Sequence, residues 1–356
     1  MDHPSKSKDV VRKLGKDCLE LGFAEKDASG ATIFPEEQLH NILNIDETCL
    51  SLDGSKGARG GRPEVIFFDP RFPLVGKETS KSGLTTTMIG GSTAAGEALP
   101  PHFQFQTSAQ TAEREQMRVD MMQFVPAGIY GHFGNGEEKL WPVTFAMNAK
   151  GGMDDEEFEK YVFNSIVPLY PNAEDKPGKR VMIKVDSGPG RMAKRLLARL
   201  RLLGFILYPG VPNTTAVSQE TDRNYGPFKT QFRKNLALVV DERIRKKKSV
   251  SLQPWLVVLI VFGGADPETK YTVIDCAYSV GFSRAHCIKA WKVVGCAPLT
   301  MKCLGDSKVR RELGDSNDQE ELMRQVQDAN NLAIYQLNQA GYIGSKMAIK
   351  LVPTKT

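Results

Sequence analysis

Residues 181–191 read Val-Met-Ile-Lys-Val-Asp-Ser-Gly-Pro-Gly-Arg, and their pattern indicates the class of fold. Its apolar and largely β-branched first part, Val181–Val185, predicts a buried strand that ends on Asp186, and the glycines and proline then predict a turn. Leucines at helical spacing predict an amphipathic helix over Met192–Leu203. Another short strand is predicted over Phe205–Tyr208. A strand, a helix and a strand in this order are typical of an α/β sheet.

Similar patterns on both sides of this unit extend the predicted sheet and its helical cover. Further strands are predicted over Ile42–Leu52, Leu84–Gly90, His102–Gln106 and Trp255–Phe262. Further helices are predicted to begin at Asp154 and to cover Phe228–Ile244, parts of Thr272–Val294, and Asp318–Ala340. We therefore expect an α/β fold in which helices cover both faces of one sheet.

The composition is that of an ordinary globular protein, with 41% apolar and 25% charged residues among 356. The 47 basic and 42 acidic side chains give a net charge of +5, which only mildly favours a polyanionic partner such as nucleic acid. The longest apolar run, Trp255–Phe262, is too short for a bilayer, which needs about 20 residues, and no secretory signal follows Met1. Six irregularly spaced cysteines without a Cys-x-x-Cys pair favour reduced thiols over a zinc site. We therefore expect an intracellular protein without a membrane partner.

Three aspartates stand where acidic side chains can bind metal. Asp186 ends a predicted strand, Asp46 lies on another, and Asp222 follows 36 positions after Asp186, just before a predicted helix. In open α/β sheets, ligands tend to bind beyond the carboxyl ends of strands. Three carboxylates gathered at one point repel one another unless cations lie between them. A site of that kind binds hard divalent ions and can cleave phosphodiesters.

Each aspartate also has a structural alternative or a rival. A single aspartate at a strand end is commonly a turn former or a helix cap. Glu47 and Asp53 are rivals of Asp46, and Glu220 is a rival of Asp222. Because side chains alternate along a strand, Glu47 is expected on the opposite face of the sheet from Asp46.

Five short motifs carry a family resemblance. They are Asn44-Ile-Asp-Glu-Thr48, the strand-ending Asp186, Pro212-Asn-Thr-Thr215, Gln219-x-x-Asp222 and Gly226-Pro-Phe-Lys229. Together they resemble the catalytic domain of DDE superfamily endonucleases, the pogo, Tigger and jerky-like transposases. The resemblance runs from about Asn41 to Lys229, and the block that begins at Pro212 is its most specific part.

The resemblance implies a ribonuclease-H-like mixed sheet flanked by helices, with additional C-terminal helices. It also implies that Asp46, Asp186 and Asp222 are the catalytic residues and the ligands of two Mg²⁺ or Mn²⁺ ions. One ion would activate water, or later a DNA 3′-hydroxyl, for in-line attack on phosphorus, and the other would stabilise the departing oxygen. In the family this chemistry cuts transposon ends and transfers strands into target DNA.

Four basic residues are candidates for contact with DNA phosphates. Arg191, Arg195 and Arg199 recur every four residues, opposite the leucines of the predicted helix, and Lys229 closes the last shared motif. Such side chains can neutralise phosphate charge. A solvent-exposed helix face explains the arginines equally well, and most lysines placed like Lys229 are solvated.

We divide the chain into three parts. Residues 1–37 form a short helical segment without a complete DNA-binding module, 38–304 form the DDE endonuclease/transposase catalytic domain, and 305–356 form a C-terminal helical tail. The family carries a helix-turn-helix region upstream of its catalytic domain, and about 40 residues are too few for one. We therefore expect DNA as the partner, together with a homodimer or a separate DNA-recognition protein. The basic run Arg243–Lys248 favours a nuclear location or contact with DNA, and a solvated helix end explains it about as well.

Two other functions fit the same residues. A transposase-derived protein could keep the fold as a catalytically silent DNA-binding or scaffold protein, and metal titration against a DNA substrate separates it from an active nuclease. A ribonuclease-H-like nuclease acting on RNA–DNA hybrids would use the same acidic geometry, and comparing rates on duplex DNA and on hybrid would identify it.

Overall fold

The computed structural model describes residues 14–51, 85–126, 142–149, 151, 153–186, 193–209, 219–249 and 253–298. Of the predicted segment 1–37, the part from residue 14 onward is described. The predicted helix Asp318–Ala340, the tail 305–356, the motif Pro212–Thr215 and Arg191 lie outside the described residues.

Six strands of the described chain form one mixed sheet. They are β1 (Ile42–Ser51), β2 (Thr85–Thr93), β3 (His102–Gln106), β4 (Thr144–Asn148), β5 (Val181–Val185) and β6 (Phe205–Pro209). Their order across the sheet is β4-β3-β2-β1-β5-β6. The β1–β2 and β2–β3 pairs are antiparallel, whereas β1–β5, β5–β6 and β3–β4 are parallel. Strand β1 is therefore central, with an antiparallel partner on one side and a parallel partner on the other.

Helices lie between and after these strands. They are α1 (Thr111–Met122), α2 (Asp155–Tyr161), α3 (Lys194–Leu202), α4 (Glu220–Arg245), α5 (Pro254–Phe262), α6 (Ala277–Gly281) and α7 (Arg284–Val294). Shorter helical pieces cover residues 14–21, Glu36–Asn41, Val162–Ile166 and Val167–Leu169. The two-residue strands Glu25–Lys26 and Thr32–Ile33 pair with each other, as do Gly264–Ala265 and Thr272–Val273.

Apolar side chains at alternate strand positions are buried against helices on both faces of the sheet. On one face, Met88 and Phe103 share a cluster with Phe228 of α4 and with α5. On the other face, Ile89 and Ile183 pack with α2 and α3. Burying each such side chain stabilises the fold by roughly 1.5–3 kcal/mol. The predicted α/β fold, a mixed sheet flanked by helices and followed by additional helices, is confirmed.

One predicted strand is wrong, because Trp255–Phe262 belongs to helix α5. An apolar run without periodicity is compatible with a buried helix as well as with a buried strand. The residues at the two ends of the run indicate a helix, because Pro254 begins it and Gly263 follows it with a φ of 92°. Although α5 is strongly apolar, no helix in the described ranges is both long and apolar enough to cross a membrane.

The start of α4 also differs from the prediction. The helix begins at Glu220 rather than near Phe228, so Asp222 lies in its first turn instead of ahead of it. The pair Gly226-Pro227 resembles a helix start, because proline is favoured in a first turn. Here the helix runs through both residues.

The sequence patterns do not predict α1 and β4. Helix α1 is mostly polar, and Met121 is its one buried residue. Strand β4 is short and lies at the edge of the sheet, beside β3. Neither element shows the apolar periodicity on which such predictions rest.

Candidate active site

Asp46 lies in the middle of β1, and only 8% of its surface is exposed. Leu43 and Ile45 on the same strand face α2 and α3. Because side chains alternate, Asp46 lies on the other face, the one covered by α4, and Glu47 lies on the face opposite to Asp46. Across the antiparallel pair, Asp46 stands opposite Gly90 of β2.

Asp186 directly follows β5, the parallel neighbour of β1. The register of the two strands pairs Asn44 with Lys184. Continued by two residues, this register brings Asp46 and Asp186 to neighbouring positions on one face, on strands spaced about 4.8 Å apart. The register observed up to the Asn44–Lys184 pair thus favours closeness of the first two predicted acids.

Helix α4 carries the third predicted acid, Asp222, and its first turn is fastened to β1. Oδ1 of Asn44 accepts hydrogen bonds from the backbone N–H of Thr221 at 2.8 Å and from its Oγ1 at 2.6 Å. Both residues are buried. The Asn44 side chain thus satisfies a helix N–H group that has no partner within the helix. This contact fixes the residue next to Asp222 on the strand that carries Asp46.

A second anchor lies one turn further along α4. The Tyr225 hydroxyl donates to the carbonyl oxygen of Asp46 at 2.5 Å and accepts from the N–H of Gly90 at 2.8 Å. A Cβ atom at Gly90 would lie 3.3 Å from this hydroxyl and 2.9 Å from the Phe282 ring. The absence of a side chain at Gly90 therefore lets Tyr225 dock over the Asp46–Gly90 pair. Asp222, three residues earlier on the same helix face, is turned toward Asp46.

The carboxyl groups of Asp46 and Asp222 lie close enough together to interact directly. Burial raises the pKa of Asp222, and the contact with Asp46 and the cations Lys229 and Arg223 only partly oppose this rise. Two carboxylates this close repel when both are ionised. The pair therefore needs a shared proton or a cation.

The oxygens of this pair fit a hard divalent ion. Carboxylate oxygens are ligands that Mg²⁺ and Mn²⁺ prefer, and here they are carried by a strand and a helix that are fastened to each other. Among the described residues, no group of three acidic, histidine or cysteine side chains is arranged to hold one ion. Asp46 and Asp222 are thus in contact, and the convergence of Asp186 on a shared ion stays a prediction.

A buried ion pair next to the acids is not revealed by the sequence patterns. Lys184 of β5 donates to Glu220 in the first turn of α4, and its Nζ lies 3.3 Å from the free thiol of Cys296. Burial alone would lower the pKa of Lys184, but Cys296 and Glu220 raise it above its ordinary value. Glu220 is therefore occupied by Lys184, although it is a rival of Asp222 in the sequence. The only signal in the sequence is a lysine inside an otherwise apolar strand.

The predicted DNA contacts differ in their surroundings. Lys229 is half-buried, with Nζ 5.8 Å from the centre of the Tyr225 ring, and burial lowers its pKa. Arg195 is exposed on α3. Arg199, although on the same helix, is paired with Glu159 of α2. That pair accounts for the position of Arg199 without DNA, whereas Lys229 lies close to the acid pair.

No protein-family model and no curated protein matches the sequence. Among solved structures, the Mos1 transposase paired-end complex with left transposon end aligns with a TM-score of 0.36 and 10% identity over 82% of this chain and 63% of that chain. The Mos1 strand transfer complex aligns with a TM-score of 0.33 and 11% identity over 80% of this chain and 59% of that chain. This chain therefore spans less than two thirds of the length of either, and likeness at this level does not assign it to a family.

Proposed function

We propose that the chain is the catalytic domain of a metal-dependent DNA endonuclease or transposase. The closeness of Asp46 and Asp222 carries this proposal, because it places the oxygens of two carboxyl groups where one divalent ion could bind both. The strand register supports Asp186 as the third ligand. The shared motifs at these three aspartates favour a nuclease over other metal-binding proteins.

The proposed reaction is phosphodiester hydrolysis followed by strand transfer. Two Mg²⁺ or Mn²⁺ ions, when bound, would lower the pKa of the attacking water and stabilise charge on the departing oxygen. The protein holds their ligands in place, with Asp46 fixed by the strands and Asp222 by the anchors at Thr221 and Tyr225. Because metal ligands must be deprotonated, Asp46 and Asp222 would have to bind the cations as carboxylates, and any proton they carry would leave to solvent.

The proposed substrate is DNA, held by its phosphates. Lys229 interacts electrostatically with Asp222 and Asp46, and it therefore lies within reach of a phosphate at the acid pair. Arg233, one turn further along α4, is exposed and extends this basic line away from the site. Each such contact would contribute to the salt dependence of binding rather than to recognition of sequence.

A plasmid-nicking assay tests the proposal. We expect the wild-type protein to nick supercoiled DNA only when Mg²⁺ or Mn²⁺ is present, and we expect Asp186→Ala and Asp222→Asn to reduce nicking to background. Glu47→Gln is the matched control, since that side chain lies on the other face of the sheet. Nicking by the Asp222→Asn variant at the wild-type rate would refute the assignment. Manganese binding without any nicking would instead favour a catalytically silent DNA-binding protein, and faster cleavage of RNA–DNA hybrid would favour a ribonuclease.

A homodimer or a separate DNA-recognition protein and a nuclear location are also part of this proposal. The side chains of Arg245, Lys246, Lys247 and Lys248 are exposed at the end of α4 and are open to an import receptor. Arg243, the first residue of the same run, is buried and belongs to the interior. A fluorescent fusion should collect in the nucleus and lose that location when the four exposed residues are replaced by serine.

A further inference from the structure

The Lys184–Glu220 ion pair is almost completely removed from solvent, with 7% and 0% of the two side chains exposed. Its surroundings leave little freedom of movement. Lys184 Nζ lies 3.3 Å from Cys296 Sγ and 5.2 Å from the centre of the Trp291 ring, both contributed by the α7 region. The pair therefore joins three elements, β5, α4 and the end of α7, at one buried point.

Each residue of this pair comes two positions before a predicted metal ligand, Lys184 before Asp186 and Glu220 before Asp222. Lys184 stands beside Asn44 in the parallel register of β5 and β1. These neighbours hold two successive residues of α4, because Lys184 binds Glu220 and Asn44 binds Thr221. One or two residues further along each of the three elements comes a predicted metal ligand. The contacts at Lys184 and Asn44 therefore form a layer directly beneath the acids.

A buried ion pair adds little net stability, because replacing it with apolar side chains of similar size often leaves the free energy of unfolding unchanged or higher. It does, however, impose a defined distance and direction between the two groups that it joins. The Asn44–Thr221 contact fastens α4 to β1, the strand of Asp46. The Asn44 amide also donates to the Lys184 carbonyl oxygen at 3.3 Å, so Asn44 links α4 to β5 indirectly. The ion pair adds a direct side-chain link between the first turn of α4 and β5, the strand that leads to Asp186.

We propose that Lys184 and Glu220 are positioning residues of the acid site. The ion pair holds the first turn of α4 against the end of β5, so that Asp222 keeps a fixed separation from Asp186 as well as from Asp46. The link between this role and metal binding rests on the proposed function. The positioning itself can be measured in the protein without metal.

The test removes both charges together, since removing one would leave the other buried without its partner. In the Lys184→Met/Glu220→Leu double variant, we expect a folded protein with near wild-type secondary structure. Hydrogen–deuterium exchange of the peptide covering residues 219–229 should become at least tenfold faster. The affinity for Mn²⁺, measured by calorimetry on the full chain, should fall at least tenfold.

A second buried ion pair on the same helix provides the matched control. Arg243 Nε lies 2.9 Å from Asp266 Oδ2, about 35 Å further along α4 at a rise of 1.5 Å per residue. In Arg243→Met/Asp266→Asn, the asparagine keeps an acceptor for the N–H of Glu268. This variant should speed exchange near residues 243–249 while exchange over 219–229 and Mn²⁺ affinity stay at wild-type values.

Different results would refute the proposed function and the positioning role of the ion pair. If the wild-type chain binds no Mn²⁺, the proposed function is wrong, and the exchange experiment still decides the positioning role. Wild-type exchange over residues 219–229 in the double variant would overturn the positioning role, even if the wild type binds Mn²⁺ and nicks DNA. If the double variant does not fold, Glu220→Gln keeps the side chain's size and removes its charge. That variant should still speed exchange over the same peptide several-fold, and unchanged exchange would overturn the proposal.

Discussion

Asp222 has a raised pKa because burial disfavours its charged form beside Asp46. A carboxyl group with a raised pKa in the folded state contributes stability below its unfolded pKa and loses that contribution as the pH rises through the folded value. At neutral pH without metal, the raised pKa of Asp222 therefore destabilises the fold. We predict that Asp222→Asn raises the free energy of unfolding at pH 7 by a few tenths to about 1 kcal/mol, after allowance for partial exposure.

Urea unfolding in the presence of a chelator, at pH 7 and at pH 3, measures this effect. The gain should be present at pH 7 and absent at pH 3, where the wild-type carboxyl group is protonated. A loss of stability at pH 7 would contradict the account of the acid pair. The same substitution removes a metal ligand, so a more stable but inactive variant is the expected combination.

At the scale of elements, the attachment of α4 to the sheet determines where Asp222 lies. Tyr225→Phe removes the hydroxyl that accepts from Gly90 and donates to Asp46. Because this leaves buried backbone groups without partners, we predict a loss of about 1–3 kcal/mol in stability. Manganese affinity should also fall, since the first turn of α4 is no longer held over β1. Calorimetry and thermal unfolding measure the two effects separately.

Tyr278→Phe is the control for this variant. The hydroxyl of Tyr278, on α6, also donates to a backbone carbonyl in the interior, that of Leu99, at 2.6 Å. Its loss should reduce stability in a similar way while leaving metal affinity unchanged. Equal losses of affinity in both variants would show that general loosening, rather than the anchor over Asp46, weakens the site.

The sequence predicts elements well where local signals are strong. The apolar, β-branched run Val181–Val185 forms β5 as expected. The acidic start of α2 is confirmed by the Asp154 side chain, which accepts from the N–H of Glu157 at 2.9 Å. Prediction fails where contacts between residues far apart in the sequence determine where an element begins. The first turn of α4 is held by Asn44 on another element, and nothing near Gly226 in the sequence shows this.

The same distinction between local signals and long-range contacts applies to the candidate site. The motifs predict the three aspartates, and the structure brings two of them, Asp46 and Asp222, close together, while their role as metal ligands stays a prediction. The ion pair of Lys184 with Glu220 joins residues 36 positions apart, and it cannot be inferred from spacing or composition. Motifs therefore predict the residues of the candidate site, whereas the contacts between distant residues around them appear only in the structure.

At the scale of the whole molecule, the buried side chain of His102 makes the free energy of unfolding depend on pH in the acid range. It is buried on β3, with Nδ1 2.8 Å from Thr144 Oγ1 of β4, and burial lowers its pKa to about 3. A histidine with a depressed pKa contributes stability above its unfolded value, near 6.5, and loses it as the pH falls toward the folded value. We predict that the free energy of unfolding falls between pH 6.5 and 3, by up to about 1.4 kcal/mol per pH unit from this residue.

The variant His102→Asn keeps a hydrogen-bonding atom near Nδ1 and cannot be protonated in this range. Its unfolding free energy should therefore depend less steeply on pH between 6.5 and 3 than that of the wild type. An unchanged slope would show that other groups control acid unfolding. Urea midpoints at half-unit pH intervals provide the comparison.

Manganese titration by calorimetry shows whether the three aspartates form one metal site, using the wild type and the variants Asp46→Asn, Asp186→Asn and Asp222→Asn. If all three carboxylates bind a shared pair of ions, each substitution should weaken binding by at least about tenfold, since it removes a charged ligand. Glu47→Gln, on the opposite face, should bind as the wild type does. The decisive variant is Asp186→Asn, because binding as tight as that of the wild type would exclude this aspartate from the site and contradict the three-carboxylate centre.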